Sequence, residues 1–239
     1  LVDEPGEAAW NMAVDTALLE LAEQPTLRIY SWQPHAVSLG YFQSIADFED
    51  LPEHTPIVRR TTGGGAIHHG DELTFSLALS SSHLPGDIAS SYALLHDAIV
   101  RALATIGVTS SRAKSDKIAT ARPKSRWCFQ DPVRDDLITE TGKLLGSAQR
   151  RTNTASARIL HHGSLVLTRP CHTPFVAALA DQIDVTDMVR KRLQSELIAE
   201  FAQALQLRIY FGTLTPREHD LAKRICVEQF QSPDFLRRR

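Results

Sequence analysis

The clearest periodic stretch of the chain is 73–79, where Leu73, Phe75, Leu77 and Leu79 alternate with Thr74, Ser76 and Ala78. An apolar residue at every second position predicts a strand with one buried face. Helical spacing governs residues 9–23, with Met12, Leu18, Leu19 and Leu21 facing inward. It returns at 90–106, where Ser90 is a possible cap and Gly107 a stop. Residues 27–32 (LRIYSW), 36–41 and 56–60 read as strands, interrupted by Pro34 and Pro56. Residues 135–139, 143–150 and 159–167 read as further strands, with a turn at 153–157. Helices are predicted at 174–181, 195–205 and 216–229, and a strand at 207–211 (LRIYF). Strands and helices are interspersed, with hairpins inside the strand-rich parts. That predicts an α+β domain, a mixed or antiparallel sheet flanked by helices, rather than a doubly wound one. No linker or repeat divides the chain. Residues 1–180 are expected to form the catalytic part and 181–239 a C-terminal helical part packed on it.

Composition narrows the classes without naming a function. The chain has 239 residues, 43% hydrophobic and 23% charged, long enough for one large domain or two small ones. A net charge of −2 gives no electrostatic footprint for nucleic acid or a membrane surface. No run of 18 apolar residues exists to span a bilayer. No signal peptide is visible, and Leu1 suggests a trimmed start. Cys128, Cys171 and Cys226 lie far apart without CxxC spacing, which favours a reducing cytoplasm over a disulfide scaffold. The ten histidines form no HxxxH or Cys/His cluster, so no metal site is expected.

The chemistry concentrates in 59–79, RRTTGGGAIHHGDELTFSLAL. Three glycines free the backbone for positive φ and for close approach of a ligand. Their bare N–H groups can form an anion-binding concavity, with Arg59 and Arg60 supplying planar cationic donors. Spacing alone also fits a glycine-rich hairpin with solvated arginines. Neither GxxxxGK[ST] nor GxGxxG is present. Cys128, between Trp127 and Phe129, follows a basic, aperiodic segment at 112–126 that reads as a mobile loop. Alone, such a cysteine is more often a small buried hydrophobe.

The glycine run resembles the signature of the biotin/lipoate protein ligase family, RRxTGGG followed by a small apolar residue and a histidine. The resemblance continues through Asn11-Met12-Ala13 with Asp15, Ser31-Trp32-Gln33-Pro34, and Ser38-Leu39-Gly40-Tyr41-Phe42-Gln43. It recurs in GKLLGSAQRR at 142–151 and HHGSLVL at 161–167. It implies a central mixed sheet with flanking helices. Octanoyltransferases of this family carry a Cys-Phe pair about fifteen residues before the Gly-Lys block, and there the cysteine is the acyl-thioester nucleophile. Cys128 occupies the matching position.

The resemblance therefore implies catalysis by Cys128 and Lys143. A thiol has a pKa of about 8.5 and needs a nearby cation to react as thiolate, and Lys143 is the candidate. Gly63, Gly64 and Gly65 would shape an acyl slot, with Arg60 beside the acyl group and Arg59, Ala66 and Ile67 in the same substrate-binding run. His68 and His162 fall at family histidine positions, to orient a carbonyl or to sit as hydrogen-bonded core histidines. Gly146, Ser147 and Ala148 suit a narrow tunnel. The alternating strand at 73–79 and a turn at 146–148 are expected to bound an apolar channel ending near Cys128. Gln149, Arg150 and Arg151 would lead to the surface, either to meet the acidic surface of a carrier or lipoyl domain or to form a solvated strand end.

The implied reaction takes octanoate from acyl carrier protein and passes it to a lysine of a lipoyl domain or a glycine-cleavage carrier protein, with no cofactor. The alternative is an ATP- and Mg²⁺-dependent lipoate–protein ligase. The chain departs from the pattern at Gly65, where octanoyltransferases often carry Arg and ligases Gly. A binding module such as a biotin-responsive repressor lacks support, since no helix-turn-helix pattern precedes residue 10.

Overall fold

The computed structural model describes residues 1–114, 125–152, 157–171 and 173–238. Most of the basic segment at 112–126, the turn at 153–157 except residue 157, His172 and Arg239 lie outside the described residues.

The elements in chain order are α1 (Ala8–Leu21), β1 (Thr26–Tyr30), β2 (Ala36–Leu39), β3 (Ile57–Arg59), β4 (Ile67–His69) and β5 (Glu72–Ser80). Then come α2 (Ile88–Thr105), β6 (Ser111–Arg112), β7 (Leu137–Thr139), β8 (Gly142–Arg151) and β9 (Arg158–Val166). The remaining helices are α3 (Asp187–Ala204), α4 (Pro216–Ile225) and α5 (Pro233–Arg237). The fold is α+β. Its main sheet has six antiparallel strands in the order β1-β5-β9-β8-β7-β6. A second, three-stranded sheet has β2 between parallel β3 and antiparallel β4.

The alternation in β5 separates two layers. Leu73, Phe75, Leu77 and Leu79 pack against Leu95, Ile99 and Leu103 of α2 and Leu193, Leu197 and Phe201 of α3. Ala78 and Leu160 face the other way, toward Val14, Ala17 and Leu18 of α1. Helix α4 covers the far side of α1, with Ala222 in the same cluster. A helix enclosed on both sides cannot show a one-sided apolar stripe, and α1 is buried almost throughout. At the start of α2, Asp87 rather than Ser90 is the cap: its side chain accepts the Ser90 N–H. Gly107, at φ +84°, ends the helix as its sequence position suggests.

Three predicted elements differ. Residues 174–181 are extended, with one 3₁₀ turn at Leu179–Asp181. Val176 and Ala178 join one apolar cluster, Ala177 and Leu179 another; this is a period of two, not of 3.6. Helix α3 begins well before residue 195, because its first turns bury only a narrow stripe that the polar sequence conceals. Residues 207–211 form no strand, and Tyr210 and Phe211 are exposed. The outer edge of β1 is already occupied by residues 1–3, which exchange backbone hydrogen bonds with Leu27 and Ile29.

Candidate active site

The loop between β3 and β4 carries the three glycines. Gly64 adopts φ +97°, a conformation that side-chain-bearing residues rarely take. Gly40 lies so close beneath it that a Cβ there would overlap the Gly64 carbonyl. Ala66 then joins the cysteine segment. Its N–H donates to the Arg126 carbonyl at 2.7 Å, and the Cys128 N–H donates to the Ala66 carbonyl at 2.8 Å. This two-bond bridge lays Cys128 directly on Gly65.

Lys143 reaches Cys128 from β8. Its Nζ lies 3.5 Å from Sγ and donates to the Cys128 carbonyl at 3.1 Å. The strand achieves this by an irregularity. Pairing with β7 passes from Leu137↔Leu145 to Ile138↔Lys143, leaving Leu144 without a partner. Such a bulge breaks the alternation of side chains and re-aims one of them. Leu144 and Leu145 therefore both enter the main core, while Lys143 shares the Cys128 side of the sheet with Gly146. Gly146 leaves room there: a Cβ would sit 3.2 Å from Sγ and 3.1 Å from the Phe129 ring.

The charges around the sulfur are buried. Asp136 Oδ2 lies 2.8 Å from Lys143 Nζ, and their side chains are 6% and 3% exposed. Burial disfavours the Lys143 ammonium, but Cys128 and Asp136 outweigh it and hold its pKa above the ordinary lysine value. Arg60 is buried too; desolvation lowers its pKa to about 10, with Cys128 acting in the opposite direction. Its guanidinium donates to the Ser38 carbonyl and hydroxyl and to the carbonyls of Gly63 and Gly65, which fixes the glycine loop.

Cys128 lines a narrow, partly open slot. One wall is the α1-facing side of the main sheet, where Gly146, Ser164 and Thr74 form one rung and Ala148, His162 and Ser76 the next. Gly63, Gly64, Arg60 and Ile67 form a second wall, and Met12, Tyr30, Trp32 and His69 contribute to the rest. Trp32 stacks on His69 with ring centroids 3.7 Å apart and donates its indole N–H to Thr74 Oγ1 at 2.8 Å. His69 bridges Ser38 Oγ (2.6 Å) and Glu72 Oε1 (2.7 Å). Burial lowers its pKa against the pull of Glu72. His162 Nε2 meets Thr62 Oγ1 at 2.7 Å, and its Nδ1 lies 3.8 Å from Asp15.

The sequence-predicted residues thus divide. Cys128, Lys143, Arg60, Gly63, Gly64, Ile67, Gly146, Ser147, Ala148 and His162 converge on one slot, Lys143 through its contact with the sulfur. Arg59 does not. The β3 alternation turns it to the opposite side, where it donates to the carbonyls of Gly40, Tyr41, Gln43, Phe235 and Leu236. The same parity corrects His68: on β4, Ile67 and His69 face the slot, and His68 faces away. Ala66 packs with Val37, Leu39, Phe48 and Trp127, acting through its backbone bridge. Gly65 supports the Cys128 backbone instead of lining the slot. The channel does not meet the apolar side of β5, which faces α2; Thr74 contributes from the polar side. Residues 146–148 lie within β8 and form no turn. Ser147 turns its hydroxyl away from the slot, 2.8 Å from His96 Nε2 on α2.

Asp136 and His69 are the residues that the sequence reading passed over. Asp136 had a signal: a short β7–β8 hairpin must bring the residue before β7 back alongside the lysine that opens β8. The other two cysteines lie elsewhere, Cys171 exposed and Cys226 packed with Met12 and Phe230. Among the described residues, no group of His, Cys, Asp or Glu side chains could hold a metal ion, and no helix is long and apolar enough to cross a membrane.

Fold and site together define a class: an α+β catalytic domain whose glycine loop walls a slot that ends at a cysteine–lysine pair. The chain belongs to the lipoyl protein ligase A/B catalytic domain family, which matches residues 7–207. Octanoyltransferase LipM of Kyrpidia tusciae is 33% identical over 93% of this chain and 92% of its own. Octanoyltransferase LipM of Brevibacillus brevis is 30% identical over 100% of this chain and 98% of its own. A lipoate-protein ligase A bound with ATP superposes with a TM-score of 0.78 at 23% identity, covering 98% of this chain and 96% of its own. The bi-partite lipoate protein ligase of Thermoplasma acidophilum gives 0.74 at 22% identity, covering 99% of this chain and 93% of its own. At those identities the two ligases show a shared fold.

Proposed function

We propose that this chain is an octanoyltransferase of protein lipoylation that carries the acyl group as a thioester on Cys128. The observation that carries this reading is the Cys128–Lys143 contact of 3.5 Å at the end of the slot. The acyltransferase class rests on the relatives at 30–33% identity named octanoyltransferases. The ligase alternative rests on structural neighbours that share the fold at 22–23% identity, and a nucleophile in the slot gives it no role for the thiol.

The Cys128 thiolate attacks the carbonyl carbon of octanoyl–acyl carrier protein. The carrier's carbon–sulfur bond breaks, and its sulfur leaves with the proton of the Lys143 ammonium. The neutral Lys143 amine remains hydrogen-bonded to the Cys128 carbonyl. In the second half, the amine of an acceptor lysine attacks the Cys128 thioester. The new carbon–nitrogen bond forms, Cys128 is released as thiolate, and Lys143 takes up the amine proton. The first exchange, thioester for thioester, is near-balanced and the second, to an amide, is downhill, so neither needs ATP. Octanoate presents seven carbons beyond its carbonyl, and burial of each CH₂ contributes roughly 0.8 kcal/mol.

A lipoyl domain fits as acceptor: the Thermoplasma ligase was analysed with its E2 lipoyl domain. Acyl carrier protein is the proposed donor, and the cytoplasm, where a thiol stays reduced, the proposed location. The test is to incubate the protein with octanoyl–acyl carrier protein, without ATP, and to weigh it intact. One octanoyl mass on the wild type, removed by hydroxylamine and absent from Cys128→Ala, is expected. Labelling of Cys128→Ala, or transfer only from free acid with ATP, refutes the reading.

A further inference from the structure

The turn that enters β7 is built around two aspartates with different jobs. Asp135 takes φ +71°, left-handed backbone that costs a non-glycine residue energy unless its surroundings enforce it. They do so from three directions. Its carboxylate meets Arg112 at 2.6 Å, and Arg112 is also bound to Asp97 of α2. Its carbonyl faces His96 Nδ1 at 2.5 Å. Its N–H donates to the Ala113 carbonyl, and the Ala113 N–H donates to the Asp136 carbonyl. The next side chain, Asp136, is thereby aimed through the protein at Lys143. Its Oδ2 accepts the Val133 N–H at 2.7 Å and lies 2.8 Å from Nζ. An aspartate buried this deeply beside a buried lysine needs a reason, because removing two charges from water costs several kcal/mol per ion.

We propose that Asp136 is a positioning residue of the acyl transfer, which keeps Lys143 a proton carrier by holding its ammonium against the Cys128 sulfur. This rests on the octanoyltransferase reading above. Lys143 must begin each cycle protonated, to supply the departing carrier thiol, and must recover that proton from the acceptor amine. Burial alone works against the ammonium. The groups around it are Cys128 from the 127–129 segment, Asp136 from the turn and His96 from α2; Asp135 lies beside His96, Tyr92 of α2 beside Asp136 and Cys128, and Arg60 beside the sulfur. Of these, Asp136 is the carboxylate in contact with Nζ. Burial pushes His96 toward its neutral form and raises the Tyr92 pKa, which keeps its phenol protonated, so neither replaces that negative charge. Asp136 does not line the slot and acts through Lys143.

The experiment compares octanoyl transfer by the wild type, Asp136→Asn, Lys143→Ala and the double variant across pH, with melting temperatures as the fold control. Asn keeps the shape and can still accept the Val133 N–H. A positioned proton donor contributes about 10²–10⁴-fold, so Asp136→Asn should lose about 10²-fold in kcat with little change in KM for the donor. An opposite charge within a few ångströms moves a pKa by about 1–3 units. Without Asp136 the ammonium should lose its proton earlier, and the alkaline limb of the rate profile should move about one unit or more toward lower pH. In the Lys143→Ala background, Asp136→Asn should add nothing. A uniform loss at every pH, or additive losses in the double variant, overturns the proposal. If Asp136→Asn melts far below the wild type, the comparison of the double variant with Lys143→Ala decides. A wild type that transfers no octanoate removes the acyl-transfer reading itself, a result distinct from either.

Discussion

Replacing Gly65 with alanine is expected to slow acylation of Cys128 far more than it destabilises the fold. A Cβ at Gly65 would stand 2.7 Å from the Cys128 nitrogen and 3.0 Å from its Cα, against an ordinary contact of 3.4 Å or more. The obstacle is backbone, so the cysteine segment must retreat by about 0.7 Å. That retreat stretches the two-bond bridge to Ala66 and draws the sulfur away from Lys143, from 3.5 Å to about 4.2 Å. At an effective dielectric of about 20, the lost ion-pair attraction is about 0.8 kcal/mol, or about fourfold in rate. Misplacement of the nucleophile itself by about 1 Å costs about 10²-fold. Overpacking of this kind costs about 1–3 kcal/mol of stability, which in a domain this size lowers the melting temperature by about 2–4 °C per kcal/mol. The assay is quenched-flow acylation by octanoyl–acyl carrier protein, read by intact mass. Gly86→Ala is the control, since nothing lies within 4 Å of a Cβ there. A Gly65→Ala protein that acylates at the wild-type rate would refute the argument that this glycine sets the thiol's position.

Arg59→Ala is expected to lower stability by at least about 3 kcal/mol, since hydrogen bonds to a charged group contribute about 1.5–3 kcal/mol each and this guanidinium serves five carbonyls. Urea melts measure it; an unchanged midpoint with a raised donor KM would return Arg59 to the substrate. Stability should also fall in acid through Asp15. Burial raises its pKa, but His162, Arg28 and Ser76 outweigh that and hold the carboxyl below its ordinary value. A depressed carboxyl contributes stability that is present above its unfolded pKa of about 4 and lost as pH falls through the lower folded value. Urea midpoints from pH 6 downward should therefore decline more steeply in the wild type than in Asp15→Asn, and parallel curves would contradict this.

Much of the fold was legible because β5, β9 and α2 obey simple periods. The site was legible in outline because the motif blocks carry the cysteine, the lysine and the glycines. What failed was parity. The sequence offers two adjacent arginines and two adjacent histidines, and chose neither Arg60 over Arg59 nor His69 over His68. That choice depends on which face of a three-residue strand meets the slot, and β3 and β4 are too short to reveal a period. The bulge at Leu144 is equally silent, since GKLLGSAQ reads as unbroken strand. The predicted helix at 174–181 failed because alternate residues there serve two different apolar clusters, so the segment is buried on both sides and no amphipathic contrast distinguishes it.

The grip of Arg59 on the Phe235 and Leu236 carbonyls has a consequence for how the molecule is made. The bonded groups stand 176 and 177 positions apart. The same guanidinium holds the 40–43 turn that supports the glycine loop. During synthesis, β3, the glycine loop and the thiol all emerge long before the residues that clamp them. The slot is therefore a late-maturing part of the protein: its walls exist early, but their final tightening waits until residue 236 has left the ribosome.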